Sequence, residues 1–370
     1  MFVGVGLGRF AYTPIIPFLI QDGIDPIAGN YAGAANLTGY FLGAILAHRL
    51  GALVGPGRAV RGALVLTLLS FLACAAPLGF AWLAFWRLVA GVTGAVLMIL
   101  GASLMLSRVA AGARGRAAGV IMTGVGLGTI LAGAAIAPLA GLGVRFVWFA
   151  LAGLALIATG TSWHAWREGP RPSSDPLPTG TPRRFGPAIL LIVFAYACDG
   201  AGFVPHTIFW VDYVARDLGL GPAWGTISWL GFGIGATVGP ILVGTLADRL
   251  GLGRSLVLAF LIKGLAVALA IVTAAPLALT VSAFLVGALS PGMTSLISAR
   301  LHELVDHRAH GKAWGLATLG FSAAQALGGL GMSRAFAALG NYTPIYGAGA
   351  LLEAAGLVLA AWAWLSTRGR

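Results

Sequence analysis

Five charged side chains stand inside otherwise apolar stretches of the sequence: Arg9, Arg87, Asp199, Lys263 and Glu353. A charge held in hydrocarbon costs at least ~2.5–3.5 kcal/mol on insertion scales, so it is kept where it faces a bundle interior and has a task. Asp199 lies near the middle of its stretch. His206 follows seven residues on, two helical turns away on the same face of a regular helix, and Pro205 and nearby glycines loosen the chain between them. A carboxylate in that setting can take up and release a proton during a conformational cycle, and Asp199 is the leading candidate for proton or substrate handling. The competing reading is a structural ion pair, with Lys263 as its partner. His206 is a weaker candidate, since a histidine near an interface can simply hydrogen-bond there.

Arg9 and Arg87 both fall in the first half of the chain, and a guanidinium fork suits an anionic group on a solute. Neutralisation by helix carbonyls, or by Asp199 across a bundle, is the alternative. Lys263 and Glu353 either serve the same site or pair with each other, and Tyr12, Tyr40 and Gln325 are further candidates to face a solute. No nucleophile–base pair and no metal-ligand spacing stands out. His302, His307 and His310 lie among Glu303 and Asp306 in a polar break, and their spacing matches no established metal motif. Cys74 and Cys198 sit in apolar runs and read as small core residues. No cofactor and no catalytic residue is expected.

The elements that must hold these side chains follow from composition. Hydrophobic residues make up 58% of the 370 and charged residues 9%, against about a quarter charged in soluble domains. Lipid is the solvent that fits. The net charge of +12 has no polar domain to present it, so no nucleic-acid partner is expected. Apolar runs near spanning length recur at 1–20, 29–47, 60–79, 81–106, 118–138 and 146–166, then at 187–209, 223–243, 255–275, 277–299, 313–336 and 344–365. The first run begins abruptly and reads as a shortened span, with a native start upstream of Met1 in view; it lacks the basic leader of a signal peptide.

Alternate breaks between these runs differ in charge. One side carries seventeen arginines and lysines, from Arg49, Arg58 and Arg61 through Arg249, Arg254, Arg300 and Lys312 to Arg370. The other carries Arg145, Arg216 and Arg334. The positive-inside rule then puts both termini in the cytoplasm of a multi-pass protein of the bacterial inner membrane. The proline-rich break 167–186 reads as a cytoplasmic linker between an N-terminal six-helix bundle, 1–166, and a C-terminal one, 187–370. A repeat supports the division. Ala47-His48-Arg49-Leu50-Gly51 follows the second run and Ala247-Asp248-Arg249-Leu250-Gly251 the eighth, with four of five residues alike.

The stretch Gly244-Thr245-Leu246-Ala247-Asp248-Arg249-Leu250-Gly251, with Arg254 beyond, resembles the signature loop of the major facilitator superfamily. There Gly244 would permit close helix approach, while Asp248, Arg249 and Arg254 would form charge pairs that latch one conformation. In the first half His48 replaces the acid. Arg87-x-x-x-Gly91-x-x-Gly94 resembles a second superfamily motif. The opening Gly6-Leu7-Gly8-Arg9-Phe10-Ala11-Tyr12-Thr13-Pro14, with Pro17, is similar to the first-span pattern of the YbfB/YjiJ group, and Asp199-Gly200-Ala201-Gly202-Phe203 is similar to its seventh-span acid-Gly-x-Gly-aromatic stretch, with Asp in place of Glu.

The resemblance implies an all-α membrane protein: twelve transmembrane helices in two pseudo-symmetric six-helix bundles that work by alternating access. The expected function is secondary transport of a small organic solute coupled to H⁺, by a monomer in a lipid bilayer. Two other readings stand beside it: a non-transporting sensor with a transporter fold and, within transport, an importer of organic anions rather than an exporter of drug-like compounds. An enzyme is not expected.

Overall fold

The computed structural model describes residues 1–110, 113–167 and 185–368, which are helical apart from short turns. Twelve long helices account for most of the described residues. The first six are α1 (Phe2–Gln21), α2 (Pro26–Val54), α3 (Pro56–Cys74), α4 (Phe80–Leu106), α5 (Arg114–Ala140) and α6 (Val144–Trp166). The second six are α7 (Pro187–Asp217), α8 (Gly221–Leu250), α9 (Leu252–Val272), α10 (Pro276–Leu304), α11 (His307–Leu339) and α12 (Thr343–Leu365). Eleven are long and apolar enough to cross a membrane. The other, α11, has the length but carries Thr318, Ser322, Gln325 and Ser333 along its interior. The linker expected at 167–186 lies almost wholly outside the described residues.

Several helices overrun the expected spans. About twenty residues cross the hydrocarbon, so α2 and α8, at 29 and 30 residues, project beyond it, and the charged ends His48–Arg49 and Asp248–Arg249 are exposed. The segment read as a loop, Gly244 to Leu250, is therefore the last two turns of α8. The break is Gly251 alone, at φ +79°, a left-handed backbone region that suits glycine. In the first half the helix continues through Gly51 and breaks at Gly55, φ +89°. The matched pentapeptides thus do not occupy the same structural place. Gly55-Pro56-Gly57-Arg58 turns the chain where Gly251-Leu252-Gly253-Arg254 does, and α2 runs one turn further past its pentapeptide.

Helix pairings repeat at an offset of six. Helix α2 packs on α4 as α8 does on α10, α3 on α6 as α9 on α12, and α1 on α5 as α7 on α11. Between halves, α5 lies along α8 and α2 along α11. Small residues bring these backbones together. A Cβ on Gly39 would strike the Leu88 carbonyl and one on Gly91 the Asn36 carbonyl, closing the α2–α4 seam; Gly235 and Gly239 do the same against Phe284 and Ala288 of α10.

Helices α1 and α7 are the irregular pair. In α1 the glycine-rich start winds in wide turns through Phe10, tightens at Thr13–Ile15 around Pro14, and is regular only from Ile16. In α7 the regular part ends at Gly202, and wide turns resume at Pro205. Such discontinuities free backbone carbonyls inside the bundle and recur at functional sites. The two helices meet beyond their breaks, where the Thr13 hydroxyl donates to the Thr207 carbonyl and Ile208 packs on Gly33 of α2.

Candidate functional site

The break in α7 brings three titratable groups together. Lys263 of α9 donates to Asp199 Oδ1 at 2.5 Å, and Glu353 of α12 lies beside them; all three are fully buried. The acid-Gly-x-Gly-aromatic motif builds this cluster. Gly200 lets the α11 backbone at Phe321 close on α7, and a Cβ on Gly202 would sit 2.8 Å from Glu353 Oε1. Phe203 turns its ring under Lys263 Nζ, 4.2 Å from the centroid. Asp199 Oδ2 and both Glu353 oxygens find no protein donor. The two carboxyl groups are near enough to interact, and such a pair is bridged by a hydrogen bond only when one of them carries a proton.

His206 belongs to a different network. Ser282 of α10 donates its hydroxyl to the Ala266 carbonyl, so its oxygen accepts from His206 Nε2 at 3.0 Å. Nε2 therefore carries the proton, and Nδ1 has no partner. The imidazole stacks on Trp210 at 4.2 Å and meets the edge of Tyr346. The seven-residue spacing from Asp199 spans the break in α7, and no hydrogen bond joins the two residues.

In the first half Arg87 is fully enclosed. Its Nη1 donates to the Gly8 carbonyl at 2.9 Å, which Asn36 Nδ2 also approaches at 3.3 Å while donating to the Arg87 carbonyl at 2.9 Å. The guanidinium lies 4.3 Å from the centre of the Tyr12 ring, and the Tyr12 hydroxyl donates to the Gly29 carbonyl. The arrangement follows from the irregular α1, which offers its Gly8 carbonyl to side chains. Arg87 and Tyr12 together cross-brace α1, α2 and α4 in this conformation.

Arg9, one residue from that carbonyl, is the opposite case. It is 8% exposed and makes no hydrogen bond or ion pair among the described residues; Nε and Nη2 are buried and unpartnered. Pairing with Asp199 across the bundle does not occur. Instead the guanidinium stands among aromatic rings: Phe10 at 5.1 Å, Tyr40 of α2 at 5.8 Å and Phe203 of α7 at 5.7 Å. Arg9 and Lys263 thus both contact one ring, Phe203. Gln325 of α11 is fully buried with both amide atoms unpartnered. It lies one turn from Phe321, which stacks on Phe203, and one turn from Gly328 and Gly329, which pack on Ala201 of α7 and on Ala34 and Leu37 of α2.

At the other end of the helices, Asp248 and Arg249 are exposed and make no ion pair among the described residues, while Arg254 lies 5.9 Å from the Trp364 ring. A Cβ on Gly244 would meet open space, so the close approach expected there is not made in this conformation; Gly251 serves the helix break. Sequence reasoning overlooked Phe203 as a site residue and Asn36 as a brace. The aromatic that closes the α7 motif was a signal for the first; nothing local marked the second.

No curated protein matches the chain. The family described as uncharacterised MFS-type transporter YbfB matches it over residues 1–365, nearly its whole length. With its long apolar helices, the chain is a multi-pass membrane protein of the major facilitator type, and it belongs to the YbfB family of MFS-type transporters.

Proposed function

We propose that the protein is a secondary transporter that moves a small organic solute together with a proton, the proton riding on the Asp199–Glu353 carboxyl pair. The observation that carries this reading is the fully buried trio of α7, α9 and α12: two carboxyl groups against one ammonium. A lone buried ion pair has no spare site for a proton without breaking. Two neighbouring carboxyl groups have one, because a proton between them turns repulsion into a hydrogen bond.

The halves 1–166 and 187–370 rock about this level as units. The conformation has α1 and α7 joined beyond their breaks and the Asp248–Arg249 end of α8 unlatched. With the arginine-rich ends in the cytoplasm, it is closed outward, and the α8 motif engages when the inner side closes. The protein works in the bacterial inner membrane with both termini inside.

The test is proton movement in proteoliposomes holding a pH dye, challenged with panels of organic acids and drug-like cations. Solute-triggered flux in the wild type that vanishes in Asp199→Asn is expected. Flux of wild-type size in the variant would sink the coupling role, and silence of the wild type toward every solute would sink coupled transport.

A further inference from the structure

We infer that the junction of α1, α2, α7 and α11 is a binding site for a small organic monocarboxylate, with Arg9 as its anchor and Gln325 as a second polar contact. The inference rests on the transport reading only in naming the bound anion as the cargo. Its ground is a contrast between the two buried arginines of the first half. Both arginines meet aromatic rings, but Arg87 also has a carbonyl, whereas Arg9, more than nine-tenths buried, has no hydrogen-bond acceptor among the described residues. A desolvated guanidinium with unused N–H groups is costly unless a ligand completes it, and its planar fork matches a carboxylate. The Gln325 amide, also fully buried and unpartnered, sits on the face of α11 that closes on Phe203 and α2. The Tyr40 hydroxyl makes no hydrogen bond among the described residues either, so it adds a third polar group beside the guanidinium.

The body of the solute is set by what surrounds these groups. Phe10 continues into Phe232 at 5.3 Å and Trp229 at 6.3 Å on α8, and Phe203 continues into Phe321 and Tyr196. Trp229 is wholly buried with its indole N–H unpartnered. Such walls fit a flat or apolar body rather than a sugar or a polyanion.

Charge links the site to the proton. Protonating the Asp199–Glu353 pair removes negative charge on the far side of the shared Phe203 contact from Arg9. By linkage the proton strengthens anion binding as much as the anion strengthens proton binding, so anion and proton cross together.

The experiment is ligand-induced thermal stabilisation of the purified full chain in detergent, with benzoate, the neutral benzamide, the cation benzylammonium and inorganic phosphate, each to millimolar levels. A ligand that binds the folded state alone raises its midpoint. Benzoate is expected to raise it and the other three are not, and Arg9→Gln is expected to weaken the benzoate response at least about tenfold. The unliganded midpoint of Arg9→Gln should stay close to the wild type's, since relief of a buried charge with no acceptor among the described residues offsets the lost ring contacts; Arg9→Lys, which keeps the charge without the fork, should weaken benzoate as well. A response led by phosphate, benzamide or benzylammonium, an undiminished response in Arg9→Gln, or none to benzoate and a short-chain acid series overturns the site. Failure here with solute-triggered proton flux intact would leave the transport reading standing, whereas benzoate binding without any flux would do the reverse.

Discussion

The two halves of the molecule bury charge by different means. In the first, Arg87 is held by neutral groups: the carbonyl that the irregular start of α1 releases at Gly8, the Tyr12 ring and the neighbouring Asn36 amide. None of these exchanges a proton at ordinary pH, so the brace has one charge state and works as structure. In the second, Lys263 is held by one of two carboxyl groups, and the remaining oxygens have no donor. That cluster can gain or lose a proton without losing its pair. A buried charge fixed by carbonyls reads as architecture, and one fixed by surplus carboxyl groups reads as a working part.

Substitutions can break this contrast in order of size. Gly91→Leu should have the largest effect, because even its Cβ falls on the Asn36 carbonyl and the α2–α4 seam cannot close. Loss of monodisperse protein on size exclusion is expected. Lys263→Met leaves two neighbouring buried carboxyl groups with no cation, and removing one partner of a buried pair costs about 3–5 kcal/mol; a large drop in midpoint temperature should follow. Arg87→Met removes one charged hydrogen bond and one cation–π contact, on the order of 2–3 kcal/mol together. Arg9→Met should leave the midpoint unchanged or higher while abolishing solute response, so an equal loss of stability in the two arginine variants would erase the distinction between them.

Smaller effects sharpen the same comparison. Glu353→Gln leaves the Asp199–Lys263 pair intact, so it should stay within about 1 kcal/mol of the wild type by urea or thermal unfolding in detergent. Gly244→Ala, whose Cβ meets open space, should move stability by less than about 0.5 kcal/mol.

Much of the fold was legible because span length and the family motifs are local signals. The number of spans and the six-fold offset of the repeat need only counting. Helix ends were less legible. Protruding turns such as Leu50 to Val54 are not distinguished by hydropathy from a loop, and only the positive φ of Gly55 marks where α2 stops. The site was half legible. Rarity of charge in apolar runs singled out Arg9, Arg87, Asp199, Lys263 and Glu353 and offered Lys263 as a partner for Asp199, but it did not say that Glu353 joins them or which arginine meets a carbonyl. That Arg87 faces a carbonyl and Arg9 does not depends on the wide turns of α1, which no residue spacing reports. That Glu353 reaches Asp199 depends on Gly202, 151 positions away in sequence, leaving it room.

The most direct test of proton carriage by the carboxyl pair uses Glu353→Gln, which leaves the Asp199–Lys263 pair and the Arg9 site in place. Two modes are compared in proteoliposomes: solute exchange at equal pH on both sides, and accumulation driven by a pH gradient. Exchange needs no net proton transfer, whereas accumulation does. The account predicts near wild-type exchange with accumulation lost; accumulation at the wild-type level in this variant would contradict it.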